Sequence, residues 1–294
     1  MPGMASDPGA HFEAQRGWFR RYLRVVLEEA QPITADNVHV IELLLMEAEV
    51  DAARGALEQL GPPAFDAGSP YFARQEGTTC MSTSLANGMI SLGEPFLRDD
   101  PERRVLLVTD DVVARTSSFG KPGEYRSVDD MFKYLESGRL RELADGEERF
   151  ELDYRVRLTN SLIDVCEALW TGRARLLIQR SAHAHLGFGL EVAQGELRVK
   201  FRDPMTGAGP GYSLVTLETL RRDYLWSPLK KIPRLMGPHA FPSLSADELL
   251  GHLERYDSME NLGVDCPSAL LYRAAEATPL FDPPEPDPAE DEAP

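Results

Sequence analysis

Cys80 has the strongest case for chemistry in this chain, because of the residues that stand around it. Gln75 lies five positions before it, a Gly-Thr-Thr turn separates the two, and many small residues follow in MSTSLANG. Thr78 and Thr79 are good N-cap residues, so the pattern predicts a helix from Cys80 to about Leu92. The N-terminus of a helix favours a thiolate, which is the nucleophilic form of cysteine. We therefore expect Cys80 to act as a nucleophile, with its backbone N–H and the Gln75 amide stabilising an oxyanion.

A β-hairpin is predicted far along the chain. Apolar residues alternate with small or charged residues over 186–192 and again over 197–202. Between the two runs stands Gln194-Gly195, which is typical of a short hairpin turn. The start of the first strand and the end of the second strand are therefore expected to lie side by side.

The side chains at this end of the hairpin supply a base for the thiol. His183 and His185 stand at the start of the first strand, and Asp203 follows the second. A carboxylate beside an imidazole fixes its tautomer and stabilises the imidazolium. Strict alternation puts His185 and Asp203 on opposite faces, but a bulge or a three-residue loop restores the phase. We predict His185 as the general base, with Asp203 orienting it, and keep His183 as the alternative base.

The order of these residues resembles that of the papain-like cysteine peptidase superfamily, and within it the bacteriocin-leader-processing peptidases and their stand-alone bacterial relatives. The resemblance covers residues 70–226 and is carried by Gln75, Cys80, His185, Asp203-Pro204, Gly207 and Trp226. It implies an α+β papain-like fold, with a helical half that carries the Cys and an antiparallel β half that carries the His and the Asp. It also implies a Cys-His-Asp triad that hydrolyses an amide or peptide bond in a peptide or protein substrate, with Gln75 as oxyanion donor and no metal or organic cofactor.

Three alternatives stay open. Met81 follows Cys80 where the family usually has Gly, so the domain is alternatively a catalytically inactive, papain-like interaction module. The same triad can run acyl transfer or deamidation, since either an amine or water can resolve a thioester. His183 and His185 with Glu191 form an HxH…E pattern that is typical of metal-binding cupin barrels. The many helical segments argue against a barrel.

The chain divides into three predicted parts. The pattern of residues 1–62 predicts an N-terminal helical hairpin. Two amphipathic helical patterns flank Pro32, and proline cannot continue a helix. Residues 63–278 are expected to form the papain-like domain. Residues 279–294 are acidic and proline-rich, and this composition predicts a disordered tail.

Local patterns predict further elements in the central part. The apolar run 104–110 predicts a short strand or a buried turn, and the Ser, Gly and Pro residues within 110–124 predict a loop. Helices are expected over 128–143 and over 159–170, where Cys166 lies on the apolar side and is predicted to pack in the core.

Composition excludes several classes of partner. The formal net charge is −17, so no excess of Lys or Arg exists to neutralise phosphates, and we expect neither nucleic acid nor a membrane surface as a partner. The three cysteines are widely spaced and odd in number, which indicates no disulfide framework and a reducing, cytoplasmic location. The second hairpin strand is expected to present a solvated face of three cations, Arg198, Lys200 and Arg202. The sequence leaves the oligomeric state open.

Overall fold

The computed structural model describes residues 8–34, 36–63, 68, 70–77, 79–116, 142–180, 183–225, 245–248 and 268–276. These residues form a mixed α+β protein with antiparallel sheets, which confirms the predicted class at that level. The helices are α1 (Pro8–Glu29), α2 (Val38–Leu60), α3 (Cys80–Ser91), α4 (Pro101–Thr116), α5 (Leu162–Thr171) and the short α6 (Leu217–Thr219), which continues as a π-helical turn, Leu220–Tyr224. The strands are β1 (Glu142–Asp145), β2 (Glu148–Glu151), β3 (Tyr154–Leu158), β4 (Ala174–Arg180), β5 (His183–Ala193), β6 (Glu196–Arg202), β7 (Ser213–Thr216) and β8 (Ser268–Arg273). Among the described helices, none is both long and apolar enough to cross a membrane.

A six-stranded antiparallel sheet lies at the centre of the described structure. Its strand order is β3-β8-β4-β5-β6-β7, and β1 pairs separately with β2. In β4, the consecutive residues Leu176 and Leu177 are both fully buried, and they belong to different apolar clusters. Because successive side chains point to opposite faces, both faces of the sheet are covered at β4, which explains its continuous apolar run.

Helix α3 packs on one face of the sheet. Its apolar side belongs to the same apolar cluster as residues of β4, β5 and β8. On this side, Met81, Leu85 and Met89 are all at most 1% exposed. The approach is close at Gly88, where an added Cβ would lie 2.7 Å from Leu271 Cδ2. The small residues that follow Cys80 in the sequence thus let the helix lie close against the sheet.

Helix α5 covers the other face, together with the N-terminal helical hairpin. Phe12 of α1 and Ala53 of α2 are fully buried in the cluster that contains the apolar side of α5. Arg16 Nε donates to Asp164 Oδ1 at 2.7 Å, and its Nη2 donates to Glu167 Oε2. The hairpin formed by α1 and α2 therefore shares a core and ion pairs with the rest of the molecule.

The predicted hairpin is present as β5 and β6. Its two turn residues, Gln194 and Gly195, have φ angles of 56° and 79°. Positive φ at both central positions is the requirement of a type I′ turn, whose twist matches that of the flanking strands.

The strand or buried turn that we predicted over 104–110 is wrong, and so is the predicted loop over residues 110–116, whereas its remainder, 117–124, lies outside the described residues. The segment belongs to α4, which runs on to Thr116. Val105, Val108 and Val112 are buried at spacings of three and four, which is the period of a helix, whereas Leu106 is 37% exposed. The short apolar run had suggested a strand or a buried turn, but the spacing of the buried residues is that of a helix.

The helix predicted over 159–170 is confirmed as α5, and Cys166 within it is fully buried. Of the helix predicted over 128–143, residues 128–141 lie outside the described part of the chain, and the last two belong to β1. The predicted tail, 279–294, also lies outside the described residues.

Candidate active site

Cys80 is the first residue of α3, as predicted, and it is only 3% exposed. Thr79 occupies the N-cap position without a side-chain cap, because its hydroxyl donates to Glu76 O at 2.7 Å. The Ser82 hydroxyl in turn donates to Thr79 O at 3.1 Å. The turn before Cys80 is thus held by its own hydrogen bonds, and Thr78 lies outside the described residues.

The segment before Cys80 is bound to the turn that follows β6. Phe72 and Gly209 exchange two backbone hydrogen bonds of 3.0 and 2.9 Å, and Gln75 N–H donates to Pro204 O at 2.9 Å. These bonds bring the Gln75–Cys80 segment and the Asp203-Pro204 turn together, although the two are far apart in sequence.

Two buried polar side chains that the sequence analysis missed hold these segments in place. Asn87 of α3 is fully buried, and its amide exchanges two hydrogen bonds of 3.0 Å with the backbone of Ala73. Arg202 is 1% exposed and donates to Gly207 O at 2.6 Å and to Gly211 O at 2.5 Å. A lone Asn within an otherwise apolar and small-residue helix was a signal for the first, whereas no local pattern marks the second.

The solvated cationic face predicted for β6 is wrong for Lys200 and Arg202. They are 5% and 1% exposed, respectively. The Arg202 guanidinium lies over the ring of Phe72 at 5.5 Å, and Lys200 Nζ lies 5.3 Å from the ring centre of Tyr212. The sequence pattern could not reveal this cover, because both aromatic residues come from segments outside the hairpin.

A β-bulge sets the face on which the histidines lie. The register between β5 and β6 shifts just after Gly187, so that Leu186 pairs with Arg202. One position further out on each strand, His185 and Asp203 then fall on the same face. Of the two irregularities that we expected could bring an imidazole and the carboxylate together, a bulge or a three-residue loop, the structure has the bulge.

Asp203 forms its hydrogen bond with His183, not with His185. The distance from His183 Nε2 to Asp203 Oδ1 is 2.7 Å, and Met205 N–H donates to the same oxygen at 2.8 Å. Although burial acts to raise the pKa of Asp203, these hydrogen bonds hold that pKa below its ordinary value. The Asp203 carboxylate therefore stays ionised. Its imidazole partner is His183, the residue that we predicted only as the alternative base.

His185 lies deeper, among aromatic rings. Its ring centre is 5.6 Å from that of Phe201 and 5.7 Å from that of Tyr224, and the two histidine rings are 4.8 Å apart. Burial, with smaller contributions from the neighbouring His183 and Arg180, lowers the pKa of His185 to about 4 against the opposing effect of Asp203. Its Nδ1 is buried, with no hydrogen-bond partner among the described residues. His185 is therefore a neutral imidazole at neutral pH.

The Cys80 sulfur lies against the strand that carries both histidines. Burial raises the pKa of the Cys80 thiol, and backbone N–H groups of Ala184, Met81 and Cys80 itself act to lower it. The charge of Asp203 is close enough to raise it further. Ala184 stands between the two histidines in β5. The expected lowering of the thiol pKa at the helix start is thus outweighed by burial, so the resting group is a thiol and needs a base.

Gln75 lies in the same region with one amide hydrogen engaged. Its Nε2 donates to Gly77 O at 2.9 Å, and its Oε1 is buried without a hydrogen-bond partner among the described residues. A primary amide has two N–H donors, so one remains for another acceptor.

The site also contains a group of possible metal ligands. His183, His185 and Asp203 each offer one ligand atom, and these atoms lie within 4.8 Å of one another. Glu191, the third member of the HxH…E pattern, is elsewhere, where it accepts a hydrogen bond from Tyr212 at 2.8 Å. The cupin-like ligand set is therefore not assembled.

No protein-family model, curated protein or solved structure matches this chain significantly. The family resemblance in the order of the site residues stays a prediction.

Proposed function

We propose that this chain is a thiol-dependent hydrolase of amide or peptide bonds, with Cys80 as nucleophile, His183 as general base and Asp203 as the group that orients it. The observation that carries the proposal is the 2.7 Å hydrogen bond between His183 Nε2 and Asp203 Oδ1. It lies close to Cys80 at the start of α3, because the Cys80 thiol interacts with the backbone of Ala184 and with the charge of Asp203. Nucleophilic catalysis needs a nucleophile, a base and an orienting group in one place. The proposed fold is papain-like, since the helix that bears the cysteine packs on the sheet that bears the imidazole and the carboxylate.

His183 takes the role that the sequence analysis had given to His185. With Nε2–H donated to the Asp203 carboxylate, the lone pair of His183 lies on Nδ1, where it can accept a proton. The pKa of His185, lowered to about 4 by burial, makes that imidazole a weak base at neutral pH.

The reaction follows from these protonation states. Cys80 is a thiol at rest, so its proton passes to His183 Nδ1 as the sulfur attacks the carbonyl carbon of the substrate. The Cys80 N–H and the second N–H of the Gln75 amide are the proposed donors to the oxyanion. The imidazolium then gives its proton to the departing amine, and water, deprotonated by His183, hydrolyses the thioester. The substrate class is a peptide or protein.

The burial of Cys80 favours a second candidate, a catalytically inactive module that binds a peptide or protein. At 3% exposure, this side chain offers little surface to an electrophile in the free protein. Acyl transfer and deamidation share the thioester step with hydrolysis, so they share its dependence on Cys80.

Labelling with a peptide that carries a vinyl sulfone tests the proposal. The full chain is treated in the presence of EDTA, and the modified residue is mapped by mass spectrometry. We expect the vinyl sulfone adduct on Cys80 in the wild type and no adduct in Cys80→Ala. The rate of Cys80 labelling should be at least about 100-fold lower in His183→Ala than in the wild type, since general-base catalysis contributes about 10²–10⁴-fold. The matched control is His39→Ala, at an exposed position on α2, which should label at the wild-type rate.

Two outcomes would contradict the proposal. A folded wild-type chain that leaves Cys80 unmodified would support the inactive binding module. Equal rates in His183→Ala and wild type would remove His183 as the base.

A further inference from the structure

The same face of the hairpin holds a second chemical possibility, because three groups with metal-ligating atoms converge there. The ligand atoms of His183, His185 and Asp203 lie within 4.8 Å of one another. We propose that these three residues form a binding site for a divalent transition metal of the Zn²⁺ class. Two imidazole nitrogens and one carboxylate oxygen are a common set of three protein ligands for Zn²⁺, which leaves a fourth tetrahedral position for water.

The unsatisfied nitrogen of His185 is an independent reason to place a ligand here. His185 Nδ1 is buried and has no hydrogen-bond partner among the described residues. A buried polar atom without a partner is unfavourable, and a cation bound to this nitrogen would remove that cost. Neither the general base nor its orienting carboxylate needs this nitrogen.

The geometry needs only small side-chain movements. Metal–ligand distances of about 2.0–2.2 Å imply ligand atoms about 3.3–3.6 Å apart around a tetrahedral ion. His183 Nε2 and Asp203 Oδ1, now 2.7 Å apart, would have to separate slightly, and the other ligand atoms would have to approach from at most 4.8 Å. The side chains of His183 and Asp203 are 24% and 42% exposed, so an ion can enter from solvent.

The ligand chemistry selects the metal. Imidazole suits Zn²⁺, Cu²⁺ and Ni²⁺, whereas Mg²⁺ and Ca²⁺ prefer sites made of oxygen atoms only. A metal and the hydrogen bond between His183 and Asp203 compete for the same groups. If the proposed function holds, Zn²⁺ therefore inhibits the reaction of Cys80, and this consequence alone rests on that function.

Calorimetric titration of the full chain with zinc chloride tests the site directly. We expect one Zn²⁺ per chain and no binding of Mg²⁺ at the same concentrations. His185→Ala should weaken Zn²⁺ binding by at least about tenfold, since even the loss of a group that only supports a ligand costs about 10–100-fold. The matched control is His39→Ala, which should bind Zn²⁺ with wild-type affinity.

A second measurement guards against a variant that fails to fold. The visible absorption of bound Co²⁺ reports its coordination directly. We expect a Co²⁺ spectrum for the wild type and its loss in both His185→Ala and His185→Gln. Thermal melts show whether each variant is folded. Wild-type Zn²⁺ affinity in the folded His185 variants, or no stoichiometric binding by the wild type, would overturn the metal site. Because the labelling of Cys80 is measured with EDTA, the failure of one proposal is distinguishable from the failure of the other.

Discussion

The buried carboxylate of Glu49 offers a quantitative test of how the N-terminal hairpin is joined to α5 and to the π-helical turn. Glu49 is 3% exposed, its Oε1 accepts a 2.7 Å hydrogen bond from Leu162 N–H at the start of α5, and its Oε2 accepts a 2.5 Å hydrogen bond from Arg221 Nε. Arg221 is itself only 7% exposed. Glu49→Ala leaves that guanidinium buried without its carboxylate, and the loss of one partner of a buried ion pair costs about 3–5 kcal/mol.

This magnitude is large against the total stability of a folded domain, which is about 5–15 kcal/mol. In a protein of this size, each kcal/mol corresponds to about 2–4 °C in Tm, so the expected fall for Glu49→Ala is about 6–20 °C. The free energy of unfolding is measured by urea denaturation and the Tm by thermal denaturation, each followed by circular dichroism and by tryptophan fluorescence.

Two variants control for other effects of the substitution. Glu47→Ala removes the same side chain from an exposed position of α2 and should change the free energy of unfolding by no more than about 0.5 kcal/mol. Glu49→Leu combined with Arg221→Met removes both charges and should recover much of the loss, because no unpaired charge stays buried.

A loss of stability in Glu49→Ala no larger than that in Glu47→Ala would show that the buried ion pair does not hold the hairpin in place. The shared core itself is contradicted if the wild-type chain unfolds in two separate transitions with the hairpin melting alone, since residues 1–62 would then be an independent module.

Two further predictions concern the packing and the reactivity of the helix that begins at Cys80. Gly88→Ala should destabilise the protein by about 1 kcal/mol in urea denaturation, because overpacking against Leu271 (about 1–3 kcal/mol) exceeds the gain of about 1 kcal/mol in helix propensity. As the control, Gly17→Ala should stabilise the protein by about that gain, since its Cβ would meet only Arg21 Nη1 at 3.5 Å. Equal effects at both positions would contradict the close packing at Gly88. In His183→Ala the Cys80 thiol titrates without its proposed base, and burial raises the pKa of that thiol. The rate at which iodoacetamide alkylates Cys80 should therefore rise with pH through an inflection at a higher pH than for a cysteine in the urea-unfolded chain. An inflection at a lower pH than in the unfolded chain would contradict the effect of burial.

The sequence was sufficient for features that depend on neighbouring residues. Helix α3 begins at Cys80, Cys166 lies in the core, and the hairpin of β5 and β6 has its turn at Gln194-Gly195. These follow from turn chemistry and from the periods of helix and strand, which act over a few residues. The need for an irregularity in the hairpin, either a bulge or a three-residue loop, could also be read from the sequence, because strict alternation of side chains puts His185 and Asp203 on opposite faces.

Other features depend on contacts between distant segments and could not be read from local patterns. The partner of β3 is β8, which lies more than a hundred residues later in the chain. Lys200 and Arg202 alternate with apolar residues as exposed cations do, yet aromatic rings from other segments cover them. A periodic pattern reports that a residue faces away from one core, but it cannot report what packs against the opposite face.

The choice between the two histidines shows the same limit at the candidate site. His183 and His185 are two residues apart on one strand and therefore share a face, so no periodicity distinguishes them. What separates them is the 2.7 Å hydrogen bond of His183 to Asp203 and the aromatic burial that lowers the pKa of His185 to about 4. Desolvation depends on every group packed around an imidazole, and those groups assemble only when distant parts of the chain fold together.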